Sequence, residues 1–407
     1  MSRYLRDASP AEEQHASNLE LFYDLVFVFA VTQVSHLLLH DLTWRGAGRA
    51  LLILLVVWWA WNYTTWVTNQ LDPDAGAVRL LVLAIMLASL LMAIAIPHAF
   101  GSRALLFAGA YVAIQVGRHL FLTFVVADRD APEREPALHI LIWFSASGVF
   151  WIAGALVESP ARIVLWLVAL AIDYVAPLVL YRVPGRPRLE PSAWDVETSH
   201  FAERFQLFVI IALGESIVIT GATTSELPLD APRMAAFGLA FVSTAALWWL
   251  YFSYVATIAQ RRLELASIST TLARDGFTYL HAIFVAGIIV AAVGDELVIA
   301  HPTEQLPSPE LVVVAAGPAV YLLGHVLFRL RLAGSLSRKR LVAAVACVAV
   351  GLLGTLVPAL AVAALLVAVL VTLIGAEHAG NRRRRGRGEP SPLERLEATA
   401  PSALRAE

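Results

Sequence analysis

The sequence predicts an all-α polytopic membrane protein, a transmembrane bundle of about twelve helices built as two parallel six-helix repeats. Three observations predict it. Hydrophobic residues make up 58% of the 407-residue chain and charged residues only 15%, against about 25% in an ordinary soluble domain. Apolar stretches of about 20 residues, long enough to cross a hydrocarbon core, recur from end to end. Three motifs also appear twice, in the same order.

Taken in order, residues 1–17 read as a cytoplasmic N-terminal segment. The first span begins at Asn18 with NLELFYDLVFVFAVTQVSHLL. It is too long and too acidic for a cleaved signal segment and reads as a retained helix, 18–40. Further helices are expected at 46–69, 77–98, 103–127, 137–157 and 161–181, which complete the first repeat, 18–181. The breaks LDPDAG, IPHAFGS, ADRDAPEREP and VESPAR hold the Pro, Gly and Asp that end helices. A cytoplasmic linker, 182–198, leads to the second repeat, 199–377, with helices at 199–222, 233–259, 271–298, 309–331, 338–356 and 358–377. Pro97, Pro177 and Pro318 are expected to kink their helices and free backbone carbonyls. The remainder, 378–407, carries RRRR at Arg382–Arg385 and no apolar stripe, and reads as a basic disordered cytoplasmic tail. Those arginines suit a topology-fixing flank, and they could also attract anionic lipid.

The repeated motifs pair ELFYDLVFVFAV from Glu20 with ERFQLFVIIALG from Glu203. They also pair WWAWNYTTW from Trp58 with WWLYFSYVA from Trp248, and GRHLF from Gly117 with GHVLF from Gly324. Six is an even number of crossings, so the halves should share one orientation about an axis along the membrane normal. Most of the 30 Lys and Arg fall in segments on the side of the N-terminus, while Arg45, Arg49, Arg103, Arg162 and Arg233 occupy the opposite loops. The positive-inside rule then puts both termini in the cytoplasm.

Charged residues inside spans are costly, about 2.5–3.5 kcal/mol at a helix centre, and are expected to turn away from lipid. Glu20 and Asp24 share one stripe of the first helix, near His200, Glu203 and Arg204 in depth. Arg118 and Asp173 lie at similar depths on the fourth and sixth helices, where adjacency would let them pair. Glu215, in ALGESIV, sits past the middle of the seventh helix, where a carboxyl can hold a proton or bind a cation. The structural alternative is a buried ion-pair network that only fixes helix positions. For Glu20, contact with headgroup water or the positive helix end is a further alternative. Trp58, Trp59, Trp61, Trp248 and Trp249 fall near mid-helix and read as bulky packing, with a stacking or cation–π role along a pathway as the alternative. His36, His119, His281 and His325 show no metal-ligand spacing. Cys347, the single cysteine, precludes an internal disulfide. The sequence holds no phosphate loop, dinucleotide fingerprint or nucleophile elbow. No enzyme activity, cofactor, metal or nucleic-acid partner is expected.

NLELFYDLVFVFAVTQVSHLL and SHFAERFQLFVIIALGESIVIT resemble the bacterial low temperature requirement protein A family, over about residues 15 to 380. Glu20, Phe22, Asp24, His200, Glu203, Arg204, Gly214 and Glu215 occupy its motifs. The resemblance implies a twelve-helix plan and an association with growth in the cold, with no biochemical activity attached. FYDLVFVFAVT, from Phe22 to Thr32, is also similar to the first helix of two-repeat lysosomal potassium channels. Tyr23 and Leu25 depart from that pattern, and the second repeat has Leu207 where Asp24 would align.

The expected activity is ion or small-solute transport, as a channel or a proton-coupled transporter. Its binding or gating network would comprise Glu20, Asp24, Arg118, Asp173, His200, Glu203, Arg204 and Glu215. The bilayer is the expected partner, with a small cation or proton as candidate ligand and a homo-oligomer left open. A non-transporting membrane sensor or scaffold, and an intramembrane enzyme, stay open as other classes.

Overall fold

A computed structural model describes residues 4–5, 15–127, 134–194, 196–253, 255–266 and 269–398. Most of the predicted N-terminal segment, the break at 128–133 and residues 399–407 lie outside the described residues. The described chain is all-α. Its helices are α1 (Asn18–His40), α2 (Trp44–Thr68), α3 (Gly76–Ala95), α4 (Ala104–Phe121), α5 (Arg134–Leu156), α6 (Ala161–Val175), α7 (Thr198–Glu226), α8 (Ala231–Phe252), α9 (Val255–Glu264) and α10 (Ser269–Leu272). They continue with α11 (His281–Ala300), α12 (Ser308–Ala333), α13 (Arg338–Leu353), α14 (Ala359–Gly386) and α15 (Pro392–Ala398). Among the described residues, 11 helical segments are long and apolar enough to cross a membrane.

The missing twelfth is α6, predicted over 161–181 but only 15 residues long. Pro177 has no N–H to offer the Asp173 carbonyl and clashes with that turn, so it ends the helix instead of kinking it. The chain leaves α6 in turns, with Leu180 and Tyr181 at φ of 51° and 50°. Pro97 likewise stands in a 3-10 turn, Ile96–His98, beyond the end of α3. Of the three prolines only Pro318 lies inside a helix. A second correction concerns the tail. α14 runs to Gly386, past the predicted end at 377, so the arginines of the supposed disordered stretch prolong a helix already nucleated.

The termini follow local chemistry. Ser17 and Glu20 form a capping box at the start of α1. The Glu20 backbone N–H donates to Ser17 Oγ at 3.3 Å, and the Ser17 N–H donates to Glu20 Oε2 at 2.9 Å. Glu197 caps α7 by accepting from the His200 backbone N–H at 2.6 Å. α12 stops at Gly334, whose φ of 60° suits a residue without Cβ. Two π-helical stretches, Leu122–Val126 after α4 and Ala273–Leu280 before α11, interrupt the regular ladder.

The chain forms two compact units, one of Met1–Leu37 with Gly48–Arg204, the other of Leu38–Ala47 with Phe205–Glu407. In the first unit, α3, α4, α5 and α6 pack in sequence order. Trp58, Trp59 and Trp61 are fully inside it, and Trp59 stacks on Tyr174 at 3.8 Å between ring centres. Trp248 and Trp249, their sequence counterparts in the second unit, are 45% and 49% exposed.

In the second unit, α11 and α12 approach through glycines on both sides. A Cβ on Gly317 would stand 2.4 Å from the Ala291 nitrogen, and one on Gly287 2.6 Å from the Tyr321 nitrogen. Small residues let membrane helices touch backbone to backbone, where packing replaces the hydrophobic drive lost in lipid. Gly317→Ala is therefore expected to destabilise the protein by about 1–3 kcal/mol. Gly48→Ala, where a Cβ meets nothing within 4 Å, should be neutral or slightly stabilising. Thermal unfolding in detergent compares the two.

Candidate functional site

Asp24 lies four residues after Glu20, so both carboxylates leave α1 on one stripe toward α7. Glu20 is 1% exposed, Asp24 2%, and His200 and Arg204 0%. Arg204 bridges the pair: Nη1 lies 2.9 Å from Glu20 Oε1, and Nη2 donates to Asp24 Oδ1 at 2.6 Å. The Trp61 indole N–H, from α2, donates to the same Asp24 oxygen at 2.8 Å. Glu20 Oε2 meets His200 Nε2 at 3.1 Å and accepts from Ser17 Oγ at 2.8 Å. Glu20 thus closes the capping box and holds Arg204 with its other oxygen, instead of reaching headgroup water.

Asn69 orients the histidine. Its Oδ1 accepts from the Glu197 N–H at 2.9 Å, which turns Nδ2 toward His200 Nδ1 at 3.0 Å. Nδ1 is then the acceptor, and the ring proton sits on Nε2, aimed at Glu20. Two carboxylates share one guanidinium here, beside the His200 imidazole. Asp24 Oδ2 is buried without a hydrogen-bond donor among the described residues.

A second cluster in the same unit surrounds Arg118 and Asp173, which form no ion pair with each other. Arg118 donates to Thr64 Oγ1 at 2.9 Å and to Gln115 Oε1, and lies 5.6 Å from the Tyr63 ring centre. Asp173 Oδ2 accepts from Tyr111 at 2.8 Å and from the Trp151 indole at 3.0 Å. Gln115 Nε2 donates to the Tyr111 hydroxyl at 3.0 Å. The expected pair is thus replaced by a chain, Arg118–Gln115–Tyr111–Asp173. The reason is reach: a glutamine one helical turn before Arg118 and a tyrosine one turn before that fill the gap.

Glu203 is separate from both clusters. Its side chain is 36% exposed, 3.5 Å from His15, and accepts from the Ala16 N–H at 3.0 Å. Residues 203 and 204 differ by about 100° around α7, so one faces the N-terminal segment when the other faces the core. Glu215 is fully buried in the second unit.

Sequence reasoning missed the neutral partners Trp61, Asn69, Thr64, Gln115, Tyr111 and Trp151, whose residue types are common in any apolar helix. It also passed over Asp295 and Glu296 in α11, which a full inventory of charges within spans would have caught. Arg340 and Glu377, read as loop and helix-end residues, form a bidentate pair at 2.8 and 3.0 Å. Among the described residues no three His, Cys, Asp or Glu converge to hold a metal ion.

The profile of the bacterial low temperature requirement A protein (LtrA) matches residues 15–375. The chain is similar to the protein RA0937 of Rhizobium meliloti (strain 1021), 40% identical over 315 residues, which covers 77% of this chain and 76% of the relative. No solved structure matches.

Removing Arg204 would strand two buried carboxylates. Arg204→Met is expected to cost about 3–5 kcal/mol. Glu203→Gln, one residue away at a half-open site, should stay within about 1 kcal/mol. Thermal unfolding of the purified variants checks both.

Proposed function

The chain belongs to the bacterial low temperature requirement A family of integral membrane proteins, and on that premise we propose that it moves a small cation or proton across the membrane. The observation that carries this reading is the buried surplus of acid around Arg204. Two carboxylates face one guanidinium, and Asp24 Oδ2 lacks a donor. A cation at Asp24, or a proton taken up by Asp24 or His200, would balance the cluster and be released when the balance changes.

The alternation of charged and neutral groups supports the same reading. A network made only for rigidity gains most from complete pairing, because every buried charge left short of partners is costly. Here Arg118 contacts neutral oxygens and Asp173 accepts from neutral donors. Such groups can exchange partners through the Gln115 and Tyr111 side chains. In this reading Glu215 is a second protonatable group, placed in the other unit.

Flux through liposomes containing the purified full-length protein tests it. Proton and 86Rb+ or 22Na+ movement should exceed that of empty vesicles under an imposed gradient. Asp24→Asn should lower the rate by at least about tenfold, the equivalent of one charge-assisted hydrogen bond. Glu215→Gln separates the mechanisms: a coupled transporter loses proton-driven accumulation but keeps exchange, whereas a channel passes current in either case. Absence of flux under every gradient would overturn the proposal and favour a sensor or scaffold.

A further inference from the structure

Within the second unit, α8, α11, α12 and α14 enclose a cavity of about 10 Å³, room for roughly one water-sized particle. Asp295, Ser243, Val314 and Pro318 line it, with apolar side chains such as Leu366 completing the wall. No basic residue is among the lining groups. Asp295 is half-buried, and its carboxylate has no hydrogen-bond or ion-pair partner among the described residues. The Ser243 hydroxyl, on a residue 6% exposed, is likewise without a protein partner. The neighbouring acid behaves differently: Glu296 accepts from Thr223 Oγ1 at 3.2 Å.

Pro318 adds a third oxygen. It lies inside α12 and carries no N–H, so the carbonyl of Val314, four residues earlier, is denied its helical donor. Gly294 brings the α11 backbone against this turn, since a Cβ there would stand 2.9 Å from Val314 Cα. The residues that carry one carboxylate, one hydroxyl and one proline-freed carbonyl therefore line a space sized for about one water-sized particle. All three are hard oxygen donors, which suit alkali-metal ions and not soft metals. A single carboxylate matches one positive charge. An ionised carboxylate without a countercharge in apolar surroundings is strongly disfavoured, and no side chain here provides one.

We propose that Asp295, Ser243 and the Val314 carbonyl bind one largely dehydrated alkali-metal cation. The site is distinct from the Arg204 cluster, and its occupancy can be measured at equilibrium without any flux. Purified full-length protein in nanodiscs is titrated with 22Na+ and, separately, 86Rb+ at constant ionic strength in choline chloride. Saturable binding of about one ion per chain is expected for one of the two isotopes. Loss of the carboxylate charge is worth at least about tenfold in affinity, and loss of one neutral ion–oxygen contact severalfold. Asp295→Asn should therefore weaken binding by at least about tenfold, and Ser243→Ala severalfold, while Glu304→Gln, at an exposed carboxylate, leaves it unchanged. Pro318→Ala, which restores an N–H to the Val314 carbonyl, should also weaken it and gives a second route if Asp295→Asn does not fold. No saturable binding by the wild-type protein would overturn the proposal. So would binding that survives Asp295→Asn or disappears in Glu304→Gln, or a site that responds to pH but to neither ion.

Discussion

Arg204 is the group on which the first unit depends. A guanidinium with no exposed surface must find hydrogen-bond acceptors inside the protein, because acyl chains offer none, and here two of them are carboxylates. Glu20 and Asp24 meet that demand only if the start of α7 lies against one face of α1 at matching height. Trp61 then brings α2 to the same point by donating to Asp24, and Asn69 ties the end of α2 to the cap of α7. One desolvated cation thus sets the rotation and register of three segments far apart in sequence. Apolar contacts, which are nearly interchangeable along a greasy helix, could not do so.

The second unit is assembled by other means. α11 and α12 meet along glycines, with distances set by backbone atoms. Around that seam lies an aromatic cluster that encloses His281 and His325. His281 is bonded on both nitrogens, to the Tyr251 hydroxyl at 2.8 Å and the Gly276 carbonyl at 3.1 Å. His325 has Phe284 at 4.5 Å and Tyr321 at 4.6 Å between ring centres, and neither of its ring nitrogens has a hydrogen-bond partner among the described residues. The two units share a membrane-suited composition but differ in what holds them. The Arg204 cluster anchors one, and the close backbone contact of α11 with α12, together with the Arg340–Glu377 pair, the other.

The residues that a bilayer makes expensive are the ones the proposed transport would use. Asp24 and Arg118 lie buried inside spans, and Asp173 is buried in the shorter α6, at a cost that simple packing does not require. Their partners include neutral, adaptable groups such as Gln115, Tyr111 and Trp151. An arrangement of that kind permits changes of protonation or ion occupancy with small movements of side chains, which a fully paired network would resist.

The sequence by itself determined the membrane class, the helix count to within one and the stripe shared by Glu20 and Asp24. It also supplied the motif that identifies the family. These properties are local or periodic: hydropathy sums over a window, and a four-residue spacing gives one helix face. Only the tertiary structure decided that Arg118 and Asp173 communicate through two neutral side chains and that Glu203 turns away from Arg204. It alone shows that Trp61 is a donor while Trp248 stays exposed, and that Pro318 sits beside Asp295. Those outcomes depend on which helices are neighbours and how each is rotated. A one-dimensional pattern cannot carry that information, because in an apolar chain many pairings bury hydrophobic area equally well. The few polar groups choose among them.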